Sequence, residues 1–367
     1  MRRFPRTLQK TLVSSFVLQS TSLSPSRAFL RQTIHNQQTL MQKHTYSHVY
    51  QHYQHPQQKC HCRLFSSSSE FSPAPPPGTH GTPVFDNVDF AVLQDDSILL
   101  ESTKRNADPD AVFVVTGASR GIGLQFVKSL LERCRGKVIA CCRAPTAELT
   151  ALMEESSSRV EMVALDLEDQ GSIAAAGQQI RDTYDRADAL FNVAGILHDG
   201  TPNSPGPERA LTKIDRAWFE KTLAVNLIGP VMWTQELTPL LAQRRRSSKD
   251  QSVASRPKAV VVNLSARVGS ISDNGLGGWY SYRMSKTALN QFTRTAALEL
   301  KRSQAWAIAV HPGTTATGLS EPFQKNVKEG SLFPVGFTVQ QLLNVVDALE
   351  EKHSGGLYDW SGQALSF

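Results

Sequence analysis

The chain has 367 residues, 40% of them apolar and 20% charged, which is enough to bury a sizeable core and too apolar for a wholly disordered polymer. Its net charge of +6 does not mark a polyanion binder, because residues 1–69 hold nine Lys or Arg and no acid, while the rest carries 30 basic against 33 acidic residues. No stretch approaches the roughly 18 uninterrupted apolar residues of a membrane span, and five cysteines, an odd number, do not close a disulfide framework.

Residues 1–69 are rich in Arg, Ser, Thr, Gln and His, with Leu8, Leu12 and Phe16 spaced as on one helix face. That composition is typical of organellar import segments. Arg63-Leu64-Phe65-Ser66 resembles a mitochondrial processing site with cleavage after Phe65, so the mitochondrion is the expected destination and the plastid the alternative. Six histidines and Cys60-His61-Cys62 lie in this segment, but their spacing matches no tetrahedral zinc pattern, and no metal is expected. Residues 70–109 follow as a linker and strap. Its Pro-rich part spans 72–83, and residues 87–110 lead into the fold proper.

From residue 111 onward, short apolar runs alternate with amphipathic stretches. The runs at 111–116, 137–142, 160–164, 189–192, 259–264 and 305–310 read as strands. The stretches at 121–132, 146–155, 172–184, 216–243 and 282–302 carry helical periodicity. Strands apolar almost throughout predict a parallel sheet covered on both faces. The alternation predicts one α/β domain over 110–367, a doubly wound parallel sheet of the Rossmann type. Adjacent Cys141 and Cys142 then face opposite sides of a strand as buried, reduced thiols. The polar segment 244–257 reads as a solvated loop, and no nucleic-acid partner is expected.

After the first strand comes Thr116-Gly117-Ala118-Ser119-Arg120-Gly121-Ile122-Gly123, running directly into a helix. Glycines at such a junction permit a tight turn and let the backbone approach a pyrophosphate, toward which the helix N-terminus points its N–H groups. The second strand ends in Ala140-Cys141-Cys142-Arg143, without the acid that accepts the ribose hydroxyls in NAD-selective folds. Arg120 and Arg143 instead suit a 2′-phosphate, so NADP(H) is expected over NAD(H). The spacing TGxxxGxG resembles the short-chain dehydrogenase/reductase family. The resemblance implies a site for the adenine near Asp166 and Leu167, and one for the ribose along Asn192, Ala194 and Gly195. Val193 stands where the family pattern usually has Asn. Asn192 is read equally well as a tie between neighbouring strands.

Tyr282-Arg283-Met284-Ser285-Lys286 opens a helix, with Tyr282 and Lys286 four apart and so on one face. A phenol is a poor acid–base group at neutral pH, and a nearby ammonium, together with the cationic nicotinamide of an oxidised cofactor, is expected to lower its pKa. Ser265 follows the fifth strand at the carboxyl edge, where it can hold a carbonyl oxygen. Asn226 sits inside the long helical stretch, where asparagine is locally unfavourable. Asn226, Ser265, Tyr282 and Lys286 follow the order of the family's four catalytic positions, over a resemblance covering residues 111 to about 319. It implies that Ser265 positions the carbonyl oxygen, Tyr282 exchanges its proton, and Lys286 replaces that proton through a water held by Asn226. Pro312, Gly313, Thr315 and Thr317 match the loop that holds the nicotinamide amide. The seventeen residues from Ser265 to Tyr282 and the short tail resemble the carbonyl-reductase and C-factor-like branch.

The implied activity is NADP(H)-dependent interconversion of a small-molecule carbonyl and an alcohol, by a homodimer or homotetramer as is frequent in the family. The alternatives are an idle NADP-binding sensor or assembly subunit, or an epimerase or lyase on the same scaffold. The latter relatives usually carry TGxxGxxG and a larger C-terminal domain, both missing here. Pocket walls are expected after Gly195 and from 271–279 and 318–334, with Trp279, Leu319 and Phe323 as lining or core, and with 198–213 as a lid or an inert loop. Mass spectrometry of the native protein is expected to find its N-terminus at Ser66. An intact start at Met1 would remove the import reading.

Overall fold

Strands of four to seven residues that are apolar on both sides must be covered on both sides. In the computed structural model of the chain, which describes residues 100–199, 206–242 and 256–367, they are. A short helix α1 (Glu101–Ala107) precedes β1 (Val112–Thr116), α2 (Gly121–Arg133), β2 (Lys137–Cys142), α3 (Ala147–Glu155), β3 (Val160–Ala164), α4 (Gln170–Thr183) and β4 (Ala189–Asn192). The second half runs α5 (Arg216–Leu223), a π turn (Ala224–Ile228), α6 (Gly229–Leu241), β5 (Ala259–Leu264), α7 (Tyr280–Leu300) and β6 (Ala305–His311). It closes with the small pair β7 (Thr314–Thr315) and β8 (Leu332–Phe333), α8 (Val335–Ala348), β9 (Leu357–Asp359) and β10 (Ala364–Leu365). The residues 1–69 read as an import segment, the linker before residue 100 and most of the loop 244–257 lie outside the described residues.

The main sheet has the order β3-β2-β1-β4-β5-β6-β9-β10, parallel throughout except that β10 returns antiparallel to β9. Side chains alternate between two apolar layers. Phe113 and Val115 of β1 pack with Phe126 of α2 and Leu342 of α8, while Val112 and Val114 pack with Ile180 of α4, Trp233 of α6 and Leu300 of α7. Cys142 and Cys141 divide the same way, each facing a different layer. Burial pushes the thiol of Cys134 up to about 12 and those of Cys141 and Cys142 up as well, which keeps them as unreactive thiols. Strand order reverses between β1 and β4, whose partners β2 and β5 lie on opposite sides, and that crevice is where doubly wound sheets bind ligands.

Three elements depart from expectation. The stretch read as one helix over 216–243 is broken by the π turn, where Gly229 N–H bonds the carbonyl of Ala224, and it stops at Leu241. Helix α8 and strands β9 and β10 complete the edge beyond β6, although the tail carried no expected element; Gln340, Gln341, Asn344 and Asp347 do give α8 a helical period that went unread, while β9 is three residues long and shows none. The end of the expected strap is helical, and one carboxylate pins it. Asp347 of α8 pairs with the buried Arg105 at 3.2 Å and with Arg133 of α2 at 2.9 Å, and accepts both its bonds from Asn106 at 3.2 Å. Replacing Asp347 with Ala leaves a buried guanidinium uncompensated and is expected to cost about 3 kcal/mol. Urea unfolding should show the midpoint falling with an unchanged slope.

Candidate active site

The site forms where the loops after β1, β4, β5 and β6 meet the start of α7. Gly117 turns the chain at φ +68°, and a Cβ there would stand 2.9 Å from the Cα of Ala194. A Cβ on Gly123 would lie 2.2 Å from the carbonyl oxygen of Gly117, so this turn closes on itself with no room for side chains. Thr116 Oγ1 accepts from the N–H groups of Val193 and Ala194 at 3.0 and 3.2 Å, stitching the loop after β4 against the turn. Helix α2 has neither a side-chain cap nor an acid in its first turn, which leaves its N–H groups and positive dipole end for an anion.

Arg120, at the cap of α2, and Arg143, beyond β2, are exposed, and their side chains make no ion pair among the described residues. Ser119 lies in the turn with its carbonyl accepting from Thr146, and Ile122 packs partly on the first apolar layer. Asp166 follows β3, its carboxylate accepting from Glu168 N–H at 3.0 Å. The side chain of Leu167 is part of the core. Thr317, after β6, comes against the glycine turn, 3.6 Å from where a Cβ of Gly121 would be. The loops that the sequence assigned to opposite ends of a dinucleotide thus meet at one edge. Two assigned side chains face inward instead. Asn192 donates to Thr234 and to Asn263 across β4 and β5, which supports the tie, and Thr315 shares its hydroxyl with Thr338 at 3.0 Å beside Pro312 and Gly313.

Helix α7 carries Tyr282, Lys286 and Asn290 at successive four-residue steps and Thr293 three further on, a stripe aimed at the sheet edge. Lys286 is buried and donates from Nζ to the carbonyl of Leu264, the last residue of β5, at 2.7 Å. The same Nζ lies 5.7 Å from the centre of the Tyr282 ring. The next residue, Ser265, donates to Asn290 Oδ1, and Asn290 in turn donates to the carbonyl of Gly269. A Cβ on Gly195 would stand 3.3 Å from Asn226 Oδ1 and 3.5 Å from Lys286 Nζ, so this glycine keeps the space beside the amine open.

Asn226 explains the break in its helix. In the π turn its amide accepts from Ile196 N–H at 2.7 Å, donates to the Ile196 carbonyl at 2.9 Å, and donates to Ser285 Oγ at 3.2 Å. These bonds offset its poor helix propensity and make its side chain a brace between the loop after β4 and α7. Ser285, Asn290, Asn263 and Thr293 belong to this polar layer and were not picked out in the sequence. The helical spacing of Asn290 and Thr293 from Lys286 was the available signal.

The expected lowering of the phenol pKa is not met by the protein alone. Burial pushes Tyr282 up to about 12, outweighing an amine that lies near the ring but bonds a carbonyl instead of the hydroxyl. Burial also pulls Lys286 down to about 8. At neutral pH the pair is therefore a protonated phenol beside an ammonium that parts easily with its proton. Around it, Trp279 meets Tyr282 at 6.2 Å between ring centres and Phe323 at 5.2 Å. Leu319 gives its carbonyl to His198 Nε2 at 3.1 Å. Of the segment expected to line the pocket, Ile271 and Leu276 are 73% and 95% exposed, and Trp279 is the residue that reaches the phenol.

The lowered amine has a consequence for stability. The unfolded chain holds that proton up to 10.5 and the folded chain releases it near 8, so between these values the unfolded state binds more protons and this group makes stability rise with pH. Lys286→Met removes that dependence. Its stability relative to the parent is expected to be greatest near pH 7 and to decline toward about pH 9 in urea unfolding; a gap independent of pH would show an unperturbed lysine.

Comparison with known proteins agrees with this geometry. The family model for short chain dehydrogenases matches residues 111–328. The C-signal protein of Myxococcus xanthus is 30% identical over 175 residues, spanning 48% of this chain and 89% of its own. The NADPH-bound carbonyl reductase from chicken fatty liver superposes with a TM-score of 0.58 at 30% identity, over 70% of this chain and 98% of its own. Carbonyl reductase Sniffer of D. melanogaster gives 0.60 at 25%, over 71% and 100%. With the glycine turn, the reversing parallel sheet and the Tyr282–Lys286 stripe at its carboxyl edge, the chain belongs to the short chain dehydrogenase family.

Proposed function

We propose that this protein is an NADPH-dependent reductase of carbonyl compounds, acting, on the composition of residues 1–69, in the mitochondrion. The observation that carries the reading is the stripe Tyr282–Lys286 on α7, locked to the end of β5 by the bond from Lys286 to Leu264 and opening beside Gly195. The fit to a phosphorylated dinucleotide is physical. The cradle at Gly117, Gly123 and Gly195 has no room for a side chain at its two turn glycines and only tight space at the third, where a Cβ would stand 3.3 Å from Asn226 Oδ1. The uncapped α2 N-terminus suits a pyrophosphate. Two exposed arginines that make no ion pair among the described residues suit a 2′-phosphate, and no acid stands at the end of β2 to repel one.

When bound, NADPH supplies a hydride to the carbonyl carbon. The chain's own residues do the rest. Tyr282, a phenol protonated at neutral pH, gives its proton to the carbonyl oxygen. Ser265, whose hydroxyl otherwise donates to Asn290, turns that one proton to the carbonyl oxygen, holds it by a hydrogen bond and offsets its developing charge. Lys286, with its proton loosened by burial, restores the phenol. Asn226 and Ser285 keep α7 in register with the loop after β4, so these groups stay at one edge.

The test combines binding with turnover on a panel of aldehydes, ketones and quinones. NADPH is expected to bind about tenfold more tightly than NADH or better. Tyr282→Phe should lower kcat by about a thousandfold while NADPH affinity stays within about twofold. Tighter NADH binding would overturn the cofactor assignment, and retained turnover would overturn the role of the phenol.

A further inference from the structure

Next to the catalytic phenol stands a residue whose backbone is strained and whose strain is held by a buried acid. Trp279 adopts the left-handed conformation, φ 54° and ψ 46°, immediately before α7. For a bulky side chain that is costly and persists only where surrounding contacts enforce it. Here they come from Glu208. Its carbonyl accepts from Trp279 N–H at 2.5 Å, and its carboxylate oxygen Oε2 accepts from Ser281 N–H at 3.2 Å. Glu208 is 1% exposed, and its other oxygen, Oε1, has no hydrogen-bond partner among the described residues. Arg283 completes the clamp by donating to the carbonyls of Gly277 and Gly278 at 3.2 and 3.0 Å, both glycines having positive φ. Folding alone does not need a tryptophan in this conformation. Its effect is to aim the indole at the site.

The indole meets the Tyr282 ring edge to face at 6.2 Å and 79°, and tilts against Phe323 at 5.2 Å and 50°. Phe323 meets the His198 ring at 6.5 Å, and His198 Nε2 approaches the carbonyls of Gly318 and Leu319 at 3.2 and 3.1 Å. These bonds tie the loop after β6 to the loop after β4. The result is a continuous aromatic wall, each ring half-buried, running from the phenol away from the sheet.

We propose that Trp279, set by Glu208, is the specificity-determining residue of this site, and that it selects carbonyl compounds carrying a flat aromatic ring next to the carbonyl. The inference rests on the reductase reading and deepens it. With the carbonyl oxygen at Tyr282, the substituent lies along the wall, where an aromatic ring makes offset or edge contacts with indole and phenyl that a saturated ring of equal carbon count cannot make. Glu208 touches neither substrate nor cofactor in this scheme and acts as a positioning residue through Trp279.

The test measures kcat/KM with NADPH for acetophenone and for cyclohexyl methyl ketone, which share a carbon skeleton, and takes their ratio. Comparing ratios between variants cancels the different intrinsic reactivities of the two ketones. Trp279→Leu is expected to lower the ratio by about tenfold, chiefly through the KM for acetophenone, and Trp279→Phe to restore it to within about threefold. Glu208→Ala should lower the ratio in the same sense, and Glu208→Gln, which keeps an acceptor for Ser281 N–H, should recover it. NADPH affinity reports whether each variant is folded. Should Trp279→Leu not fold, Trp279→Asn tolerates the left-handed backbone and takes its place. An unchanged ratio in the Leu or Asn variant, or a Phe variant no better than Leu, overturns the proposal. If neither ketone is turned over by the parent protein, the panel of aldehydes, ketones and quinones judges the reductase reading separately. Calorimetric titration of the two ketones into parent and variant then decides the present inference, supported by a selective loss of acetophenone affinity of about tenfold and overturned by equal losses.

Discussion

The bond from Lys286 to the carbonyl of Leu264 is the constraint on which the site depends. It joins the inward stripe of α7 to the last residue of β5, so the position of the phenol is set by the sheet and not by a loop. It also gives a buried ammonium one strong partner, without which desolvation would be uncompensated. One bond is not enough for full compensation, and the pKa near 8 records the shortfall. The same shortfall makes the amine a proton donor at physiological pH.

Around that bond the carboxyl edge of the sheet carries a polar layer between two apolar ones. Asn192, Asn263 and Thr293 bond in sequence from β4 across β5 to α7, Ser265 bonds Asn290, and Asn226 bonds both Ile196 and Ser285. Buried amides cost little once satisfied and a great deal when orphaned. The network therefore resists any slip of α7 along the sheet, which would break several bonds together. The π turn follows from the same demand, since it widens the helix where Asn226 must reach two neighbours.

The aromatic wall answers to a different economy. Trp279 stands in a conformation that its own chemistry disfavours, held by a buried carboxylate and two glycines before the helix begins. Strain maintained by tertiary contacts and placed beside reacting groups is a usual mark of a functional surface. Its ring, Phe323 and His198 come from three separate segments of the chain and meet one after another in a row that begins at the phenol.

Local pattern determined much of this protein. Strands β2 to β5 are legible residue by residue because strands buried on two faces must be apolar throughout, and short apolar runs between polar turns have few other uses. The glycine turn and the four-residue step from Tyr282 to Lys286 were legible for the same local reason, as were the missing acid after β2 and the two arginines. What tertiary structure decided was where shared polar atoms go. Nothing local to Asn192 says that its amide turns to Asn263, nor does anything near Asn226 say that it braces Ile196. The direction of the phenol pKa was equally beyond reach, because it depends on how much water surrounds the ring once α7 is docked. Glu208 was invisible in a polar loop for the same reason: its importance lies in a hydrogen bond to Ser281, 73 residues away, that exists only when the chain has folded.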